Sequence, residues 1–399
     1  MTPPAPGAPG PGARGWGPGL ATVPRVPNRS ERRRARRRTR LIGLGAVVVA
    51  TATAVALVAV LSGSGGRSGR ADVSASRTSA RGSPSSAPPT TAAPTTTAVT
   101  IPPTTTSPPP IAVDRTYAVG VRAYTFVDSS RTTSANGDFP GASTRTLPTV
   151  VYYPAAGDPG GSTQSDAAPD RADGPYPLVL FAHGYDVTPV FYASLLQRWA
   201  AAGYVVAAPT FPILSGSPGG ASHVDYEKTF GDASFVITNV VALAGGDPLS
   251  GLVDSRRIAT AGHSDGEVIA FGLGFLECCR DARVRSVIAM AGNLANANNP
   301  SVRGSGTPIL HIMDDHDEYD AYPDSIAWDR ENLTAPRWML SLVNASHVPP
   351  YTQPGNAHFE LVSRATIDFL DGTLKSHPDR LDRVTTDVAA RPDLADLER

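Results

Sequence analysis

A serine flanked by glycines lies between a strand-like segment and a helix-like segment. The sequence Gly-His-Ser-Asp-Gly occupies residues 262–266, directly after the strand-like run 257–261. A serine on such a sharp strand-to-helix turn exposes its hydroxyl at the edge of the sheet, and Gly262 and Gly266 leave room for the tight backbone. Ser264 is therefore predicted to be a nucleophile that attacks a carbonyl carbon.

Such an attack creates an oxyanion, which needs two converging hydrogen-bond donors. The backbone N–H of Asp265 follows the nucleophile at the start of the predicted helix, where the helix N-terminus favours negative charge. The second donor is predicted to be the backbone N–H of Tyr185. The apolar run 177–182 ends just before it, and Gly184 lets the chain approach the serine closely.

An acid and a base follow two later strand-like runs. Asp317 comes after the run 308–313, and His347 comes after the run 337–343. Residues beyond the carboxyl ends of parallel strands meet at one edge of the sheet. The order Ser, Asp, His differs from the trypsin-like and subtilisin-like orders. His347 is predicted to take the serine proton, and Asp317 to orient the imidazole and stabilise its cation.

Other residues near these strand ends leave alternatives open. Several carboxylates crowd residues 314–320, and Asp317 is preferred because three residues of turn carry it over the edge of the sheet. The same acidic run is compatible with a calcium ion, although a solvated edge is commoner. His358 is a second candidate base, but at a helix start it meets the positive end of the dipole. No His-x-His or His-Glu-x-x-His spacing supports a zinc hydrolase.

Strand-like runs alternate with helical segments from Tyr117 to about residue 370. This alternation predicts an α/β fold with a mostly parallel, doubly wound sheet that helices cover on both faces. One catalytic domain is expected over residues 112–376, followed by a charged, peripheral C-terminal tail at 377–399. The predicted strands are 117–126, 146–153, 177–182, 204–208, 257–261, 284–291, 308–313 and 337–343, and the predicted helices are 188–202, 225–243, 267–279, 323–333 and 359–370.

These motifs resemble those of the α/β-hydrolase superfamily from Thr146 to about Leu374. The resemblance is strongest to the compact branch of dienelactone hydrolases, chlorophyllases, platelet-activating-factor acetylhydrolases and cutinase-like polyester hydrolases. It implies the α/β-hydrolase fold and ester cleavage without a cofactor or a metal, and a serine nucleophile differs from the cysteine of dienelactone hydrolases. The residues that carry the resemblance are 181–185, 262–266, 308–310 leading to Asp317, and 345–347.

Two features bear on the openness and the rate of this site. The segment between residues 291 and 307 is too short for a large cap domain, so an open, wet site is expected, which favours hydrolysis. Glu267 stands where many relatives have a second glycine, and Asp314 stands where glycine or alanine is usual. Asp265 and Glu267 suit a helix N-terminus, but negative charge beside an oxyanion hole should oppose catalysis.

The charge is divided unevenly along the chain. Residues 1–40 hold ten arginines and one glutamate, residues 41–111 carry +3, and residues 112–399 carry −13. The 21 residues of 41–61 contain no charge, which is enough to span a bilayer, and arginines before them keep that side cytoplasmic. This predicts a disordered basic cytoplasmic segment at 1–40, a transmembrane signal-anchor helix at 41–61 and a Pro/Thr/Ser-rich stalk at 62–111. Signal-peptide cleavage followed by secretion is the alternative.

Cys278 and Cys279 are the only cysteines, so a disulfide framework is excluded. A disulfide between neighbouring residues would be strained, and two buried thiols at a helix end are therefore expected.

The combined features favour a membrane-anchored, extracytoplasmic serine hydrolase that cleaves carboxylic esters of small molecules, lipids or polymers. A cell-envelope acyltransferase with the same triad and a catalytically dead binding module are the alternatives. The arginine block precedes an apolar span, so it predicts membrane topology rather than a nucleic-acid partner.

Overall fold

The computed structural model describes residues 114–292, 306–319, 322–334 and 336–399. The basic segment, the apolar span and the stalk predicted for residues 1–111 lie outside this part of the chain. Within the described residues, no helix is both long and apolar enough to cross a bilayer.

The described residues form one ten-stranded sheet with helices on both faces. The strands are β1 Ala118–Asp128, β2 Arg145–Ala155, β3 Gln164–Ser165, β4 Tyr176–Ala182, β5 Val205–Pro209, β6 Val253–His263, β7 Val284–Met290, β8 Ile309–Asp314, β9 Arg337–Leu342 and β10 Ala395–Glu398. The helices are α1 Ala193–Ala201, α2 Lys228–Val241, α3 Asp265–Phe275, α4 Tyr322–Asn332, α5 Pro349–Thr352, α6 Ala357–Leu374 and α7 Pro378–Ala389, with a 3₁₀ turn at Pro189–Tyr192 before α1.

The sheet has the order β10-β9-β8-β7-β6-β4-β5-β2-β1-β3. Strands β4 to β9 run parallel, whereas β2 and β10 pair in the antiparallel sense at either side of this block. The predicted mostly parallel α/β sheet is thereby confirmed. The carboxyl ends of β4, β6, β8 and β9 consequently meet at one edge, which is where ligands bind in such sheets.

Strand β4 shows why the apolar runs of this sequence form central strands. All seven of its residues are buried. Val179 and Phe181 pack into the core that also contains residues of α1 and α6, and Leu178 and Leu180 pack into the core that contains residues of α2 and α3. Alternate side chains of a strand point to opposite faces, so a strand covered on both sides is apolar throughout.

Residues 378–398 are an integral part of the fold, which corrects the prediction of a peripheral tail. Val384 and Val388 of α7 are buried in the core, and β10 pairs with β9 from Ala395, opposite Leu342, to Glu398, opposite Met339. The prediction was wrong because most charges of α7 lie on the outer face of an amphipathic helix, and the buried Arg380 is paired with Asp368 and Asp114.

The two cysteines also differ from the prediction, because Cys278 and Cys279 are joined by a disulfide. Helix α3 ends at Phe275, earlier than expected, so both cysteines lie in the following turn. Cys278 is exposed and Cys279 is half-buried there, and neither is a core thiol.

Candidate active site

Ser264 occupies the sharp junction between β6 and α3. Its backbone angles are φ 59° and ψ −126°, a conformation that non-glycine residues seldom adopt. A Cβ at Gly262 would overlap the carbonyl oxygen of Gly266, and a Cβ at Gly266 would overlap a carbonyl oxygen of β4. Both glycines are therefore required by close backbone contacts, as the motif predicts.

The loop after β4 packs directly against this elbow. A Cβ added at Gly184 would lie 3.1 Å from the Cβ of Ser264, so a larger residue would require one of the two segments to shift. Tyr185 follows Gly184, and Asp265 opens α3. The structure thus brings the chain segments of both predicted oxyanion donors to Ser264.

His347 and Asp317 lie together, although 30 residues separate them in sequence. The Nδ1 of His347 is 2.7 Å from the Oδ2 of Asp317. A carboxylate can only accept, so the Nδ1 carries the proton and the Nε2 is left to accept one. The N–H of His316 donates to the carbonyl of Ala345 at 3.1 Å, which joins the loop that carries the acid to the loop that carries the base.

Asp314 is the last residue of β8 and is buried. The Tyr351 hydroxyl is 3.1 Å from each of its carboxyl oxygens. Burial, together with the negative charge of Asp317, raises the pKa of Asp314 to about 8. Asp314 is therefore mainly protonated at neutral pH, which limits the negative charge that it adds beside Asp317.

The calcium site that the acidic run left open has no support in the described part of that loop. No group of three or more His, Cys, Asp or Glu side chains among the described residues is arranged to hold a metal ion. Asp320, the last member of the acidic run, lies outside those residues.

The carboxylate of Asp265 is paired with a histidine. His223 Nε2 lies 2.5 Å from Asp265 Oδ2, and the His223 ring stacks on Tyr185 with centroids 4.8 Å apart. The Tyr185 hydroxyl donates to the carbonyl of Ala221 at 2.7 Å. These contacts link the two predicted oxyanion residues through the loop that carries His223.

Glu267 is fully buried and has a positively charged neighbour, His311. Its Oε1 lies 3.1 Å from the Nε2 of His311, whose Nδ1 contacts Asp329. Burial opposes a charge on His311, but Asp329 and Glu267 outweigh it and raise the pKa of His311 well above its usual value. His311 is thus a cation between two carboxylates, and Glu267 Oε2 accepts the N–H of Gly292 at 2.7 Å.

We expect the substitution His311→Leu to lower the free energy of unfolding by about 3–5 kcal/mol, because it leaves two buried carboxylates without their cation. A raised histidine pKa stabilises the fold below the unfolded-state value of about 6.5 and loses this effect as the pH rises through the folded-state value. The difference in the free energy of unfolding between the wild type and His311→Leu should therefore shrink at alkaline pH. Urea titrations at pH 6 and at pH 9 or above measure it.

The matched control for this prediction is His223→Leu, which removes a largely exposed histidine–carboxylate pair. Exposed pairs contribute roughly 0–1 kcal/mol. Equal losses in the two variants would contradict the role of His311.

Sequence reasoning missed His263 and Tyr192, which connect the parts of this site. His263 Nε2 is 2.7 Å from the carbonyl oxygen of His347, and His263 Nδ1 is 2.9 Å from the Tyr192 hydroxyl. The sequence feature that could have indicated a role for His263 was its position inside the Gly-His-Ser-Asp-Gly motif. Its partners are distant in sequence, so no local pattern indicated them.

Comparison with known proteins gives a family-level and a fold-level match. A family model described as chlorophyllase matches residues 167–292, a range that includes Tyr185 and Ser264 but not Asp317 or His347. A ferulic acid esterase from Streptomyces cinnamoneus matches with 20% identity and a TM-score of 0.50, over 67% of this chain and 93% of that chain. No curated protein matches the sequence. The fold, the serine elbow and the matched family agree with the α/β-hydrolase fold that the motifs led us to expect.

Proposed function

We propose that the domain hydrolyses carboxylic esters through an acyl-enzyme on Ser264. The observation that carries this proposal is the contact between His347 Nδ1 and Asp317 Oδ2 at 2.7 Å, at the sheet edge where Ser264 forms the elbow. A serine on an elbow, a histidine and a carboxylate that orients the histidine are the parts needed for acyl transfer. Chlorophyllase and ferulic acid esterase, the names attached to the two matches, are consistent with it.

The reaction has two halves that use the same groups. His347 Nε2 takes the proton of Ser264 while the serine oxygen bonds to the ester carbonyl carbon, and the N–H groups of Tyr185 and Asp265 stabilise the oxyanion. The intermediate collapses with loss of the alcohol, which receives the proton from the imidazolium. Water then attacks the acyl-enzyme with His347 as base, and the acid leaves as Ser264 regains its proton.

The charges around the elbow suit this mechanism better than the sequence suggested. His311 offsets part of the negative charge of Glu267, since it also contacts Asp329, and the carboxylate of Asp265 is in hydrogen-bond contact with His223. The N-terminus of α3 contributes a positive potential at the oxyanion. The predicted opposition from acidic side chains is thereby reduced.

Exposed apolar side chains near the elbow support an ester with apolar substituents. Tyr185, Phe191, Val224 and Tyr319 are all exposed, and Tyr319 lies with its ring centroid 4.8 Å from that of His347. Apolar patches at a site commonly bind substrate. A series of esters with graded acyl and alcohol size, assayed on the purified chain, should show kcat/KM rising with apolar size.

A fluorophosphonate probe tests the central proposal. It should label the full-length protein on a single serine, and peptide mapping should place the label on Ser264. Absence of labelling, together with absence of ester hydrolysis, would favour the alternative of a catalytically dead binding module. Acyl transfer to an added alcohol in preference to water would favour the acyltransferase.

The proposal includes attachment to the cell membrane through residues 41–61, with the catalytic domain outside the cytoplasm. The uncharged span and the preceding arginines support it, and a disulfide at Cys278–Cys279 suits an oxidising compartment. Membrane fractionation should recover the intact N-terminus with the activity, and protease added outside should reach the domain. Recovery of a soluble chain cleaved near residue 61 would instead indicate secretion.

Asp317→Asn is expected to lower kcat by about 10⁴-fold, because an amide neither fixes the Nδ1–H form of His347 nor stabilises the imidazolium. Asp314→Asn is the matched control. Since the pKa of Asp314 is raised to about 8, a neutral amide resembles its main form at pH 7, and the change in kcat should be small. The opposite ranking in steady-state kinetics would assign the acid to Asp314.

A further inference from the structure

We propose that His263 is a positioning residue that connects the nucleophile elbow to the base on one side and to the oxyanion loop on the other. This inference rests on the proposed function, since it assigns a task within the same site. It is based on the side chain immediately before Ser264, which takes no part in the bond changes of the reaction.

Both ring nitrogens of His263 are in contact with partners. The Nε2 is 2.7 Å from the carbonyl oxygen of His347, and the Nδ1 is 2.9 Å from the hydroxyl of Tyr192. The ring is 2% exposed and packs against the rings of His347 and Tyr351, with centroid distances of 4.7 and 4.6 Å. The side chain is therefore held in one orientation.

The direction of each hydrogen bond follows from these partners. A carbonyl oxygen only accepts, so the Nε2 of His263 carries the hydrogen. Burial, with a further contribution from nearby His347, lowers the pKa of His263 well below its usual value, and the Nδ1 is therefore without a proton. Tyr192 donates its hydroxyl hydrogen to that Nδ1, and its oxygen accepts the N–H of Gly184 at 3.3 Å.

The resulting chain of hydrogen bonds reaches all three parts of the proposed machinery. Gly184 precedes the oxyanion donor Tyr185, His263 precedes the nucleophile, and the carbonyl at the other end belongs to the base His347. A displacement of about 1 Å in such a site costs roughly 10²-fold in rate. Histidine suits this position because a flat, neutral ring presents a donor and an acceptor in fixed directions.

Other described contacts hold the backbone of the loop that carries His347, including that of the Val343 N–H to Leu394, but they are made at residues other than His347. The N–H of His316 donates to Ala345, and His358 Nε2 lies 3.0 Å from the carbonyl oxygen of Val343. Among the described residues, the backbone contact at His347 is the one that His263 makes with its carbonyl oxygen. Its loss should affect the orientation of the imidazole more than the stability of the loop.

The test compares three substitutions at one position in the full-length protein. His263→Phe keeps an aromatic ring but removes both nitrogens, and kcat should fall about 10²-fold with KM nearly unchanged. His263→Gln returns a donor toward His347 and should recover most of that loss. His263→Asn returns only an acceptor toward Tyr192 and should recover less. The rate constant of fluorophosphonate labelling should follow the same order, because it reports serine activation without a leaving alcohol.

Tyr192→Phe tests the other half of the chain with the ring retained. It should lower kcat about fivefold, since it removes the hydrogen bond to His263 and the longer one from Gly184. The double variant of Tyr192→Phe and His263→Phe should lose less than the product of the two single losses, because the two substitutions share the contact between Tyr192 and His263 and only Tyr192→Phe also removes the contact from Gly184. The control is Tyr204→Phe, which removes an equally buried hydroxyl that donates to Asp371 at 2.6 Å and should leave kcat unchanged.

The outcomes separate this inference from the proposed function. A wild-type protein that is labelled on Ser264 and hydrolyses esters establishes the function without reference to His263. If His263→Phe then kept wild-type kcat, or if the phenylalanine and glutamine variants were equally slow, the positioning role would be refuted. If His263→Phe did not fold, a Tyr192→Phe variant with the same kcat as Tyr204→Phe would refute it as well.

Discussion

Replacing Ser264 with alanine should remove essentially all ester hydrolysis and lower kcat by on the order of 10⁶-fold. The Ser264 side chain is only half-buried. The residue contributes to the fold through its backbone, whose N–H donates to the carbonyl of Met290 at 2.9 Å. Alanine keeps that contact. The residual rate, measured by initial velocities on a reactive aryl ester, should approach that left by the oxyanion donors alone.

The same preparation provides the structural control. The midpoint of thermal unfolding of Ser264→Ala should equal or exceed that of the wild type, because the strained elbow loses only a hydroxyl. Ser250→Ala, in the turn before β6, where the described contacts of Ser250 are made by its backbone, should retain full activity. Hydrolysis by Ser264→Ala at near wild-type rate, in material free of contaminating esterase, would show that another residue is the nucleophile.

His347→Ala should cause a loss of similar size, on the order of 10⁶-fold in kcat, because the serine and its base act as a unit. His358→Ala is the matched control, since His358 was the alternative base in the sequence. His358 Nε2 lies 3.0 Å from the carbonyl oxygen of Val343, and its N–H donates to the Asn356 cap at 2.8 Å. These contacts hold the start of α6, and the variant should keep most of its activity.

The pH dependence of kcat/KM distinguishes the two histidines further. His358→Ala should retain the ascending limb that a histidine base produces, and His347→Ala should lose it together with the activity. Exogenous imidazole restoring part of the rate in His347→Ala alone would strengthen the assignment. Loss of activity in His358→Ala, with His347→Ala still active, would reverse it.

The sequence by itself determined the architecture and the order of the reacting groups. The continuous apolar run of β4 and the alternation of strands and helices are local patterns, and they require a parallel sheet covered on both faces. The glycines at 262 and 266 likewise indicate the elbow locally, because only glycine avoids the backbone overlaps found there. In such a sheet, the strand ends that carry Asp317 and His347 necessarily lie at the same edge as Ser264.

Only the tertiary structure decided which side chains meet at that edge. The register of β8 against β9 pairs Asp314 with Leu342, and the turn that follows carries Asp317 to His347 while Asp314 stays with Tyr351. The partners of His263 and Glu267 were decided in the same way, and so was the pairing of β10 with β9. Such contacts join residues far apart in sequence, and their geometry depends on strand register and loop path, whereas hydrophobic periodicity reports only which face of an element is buried.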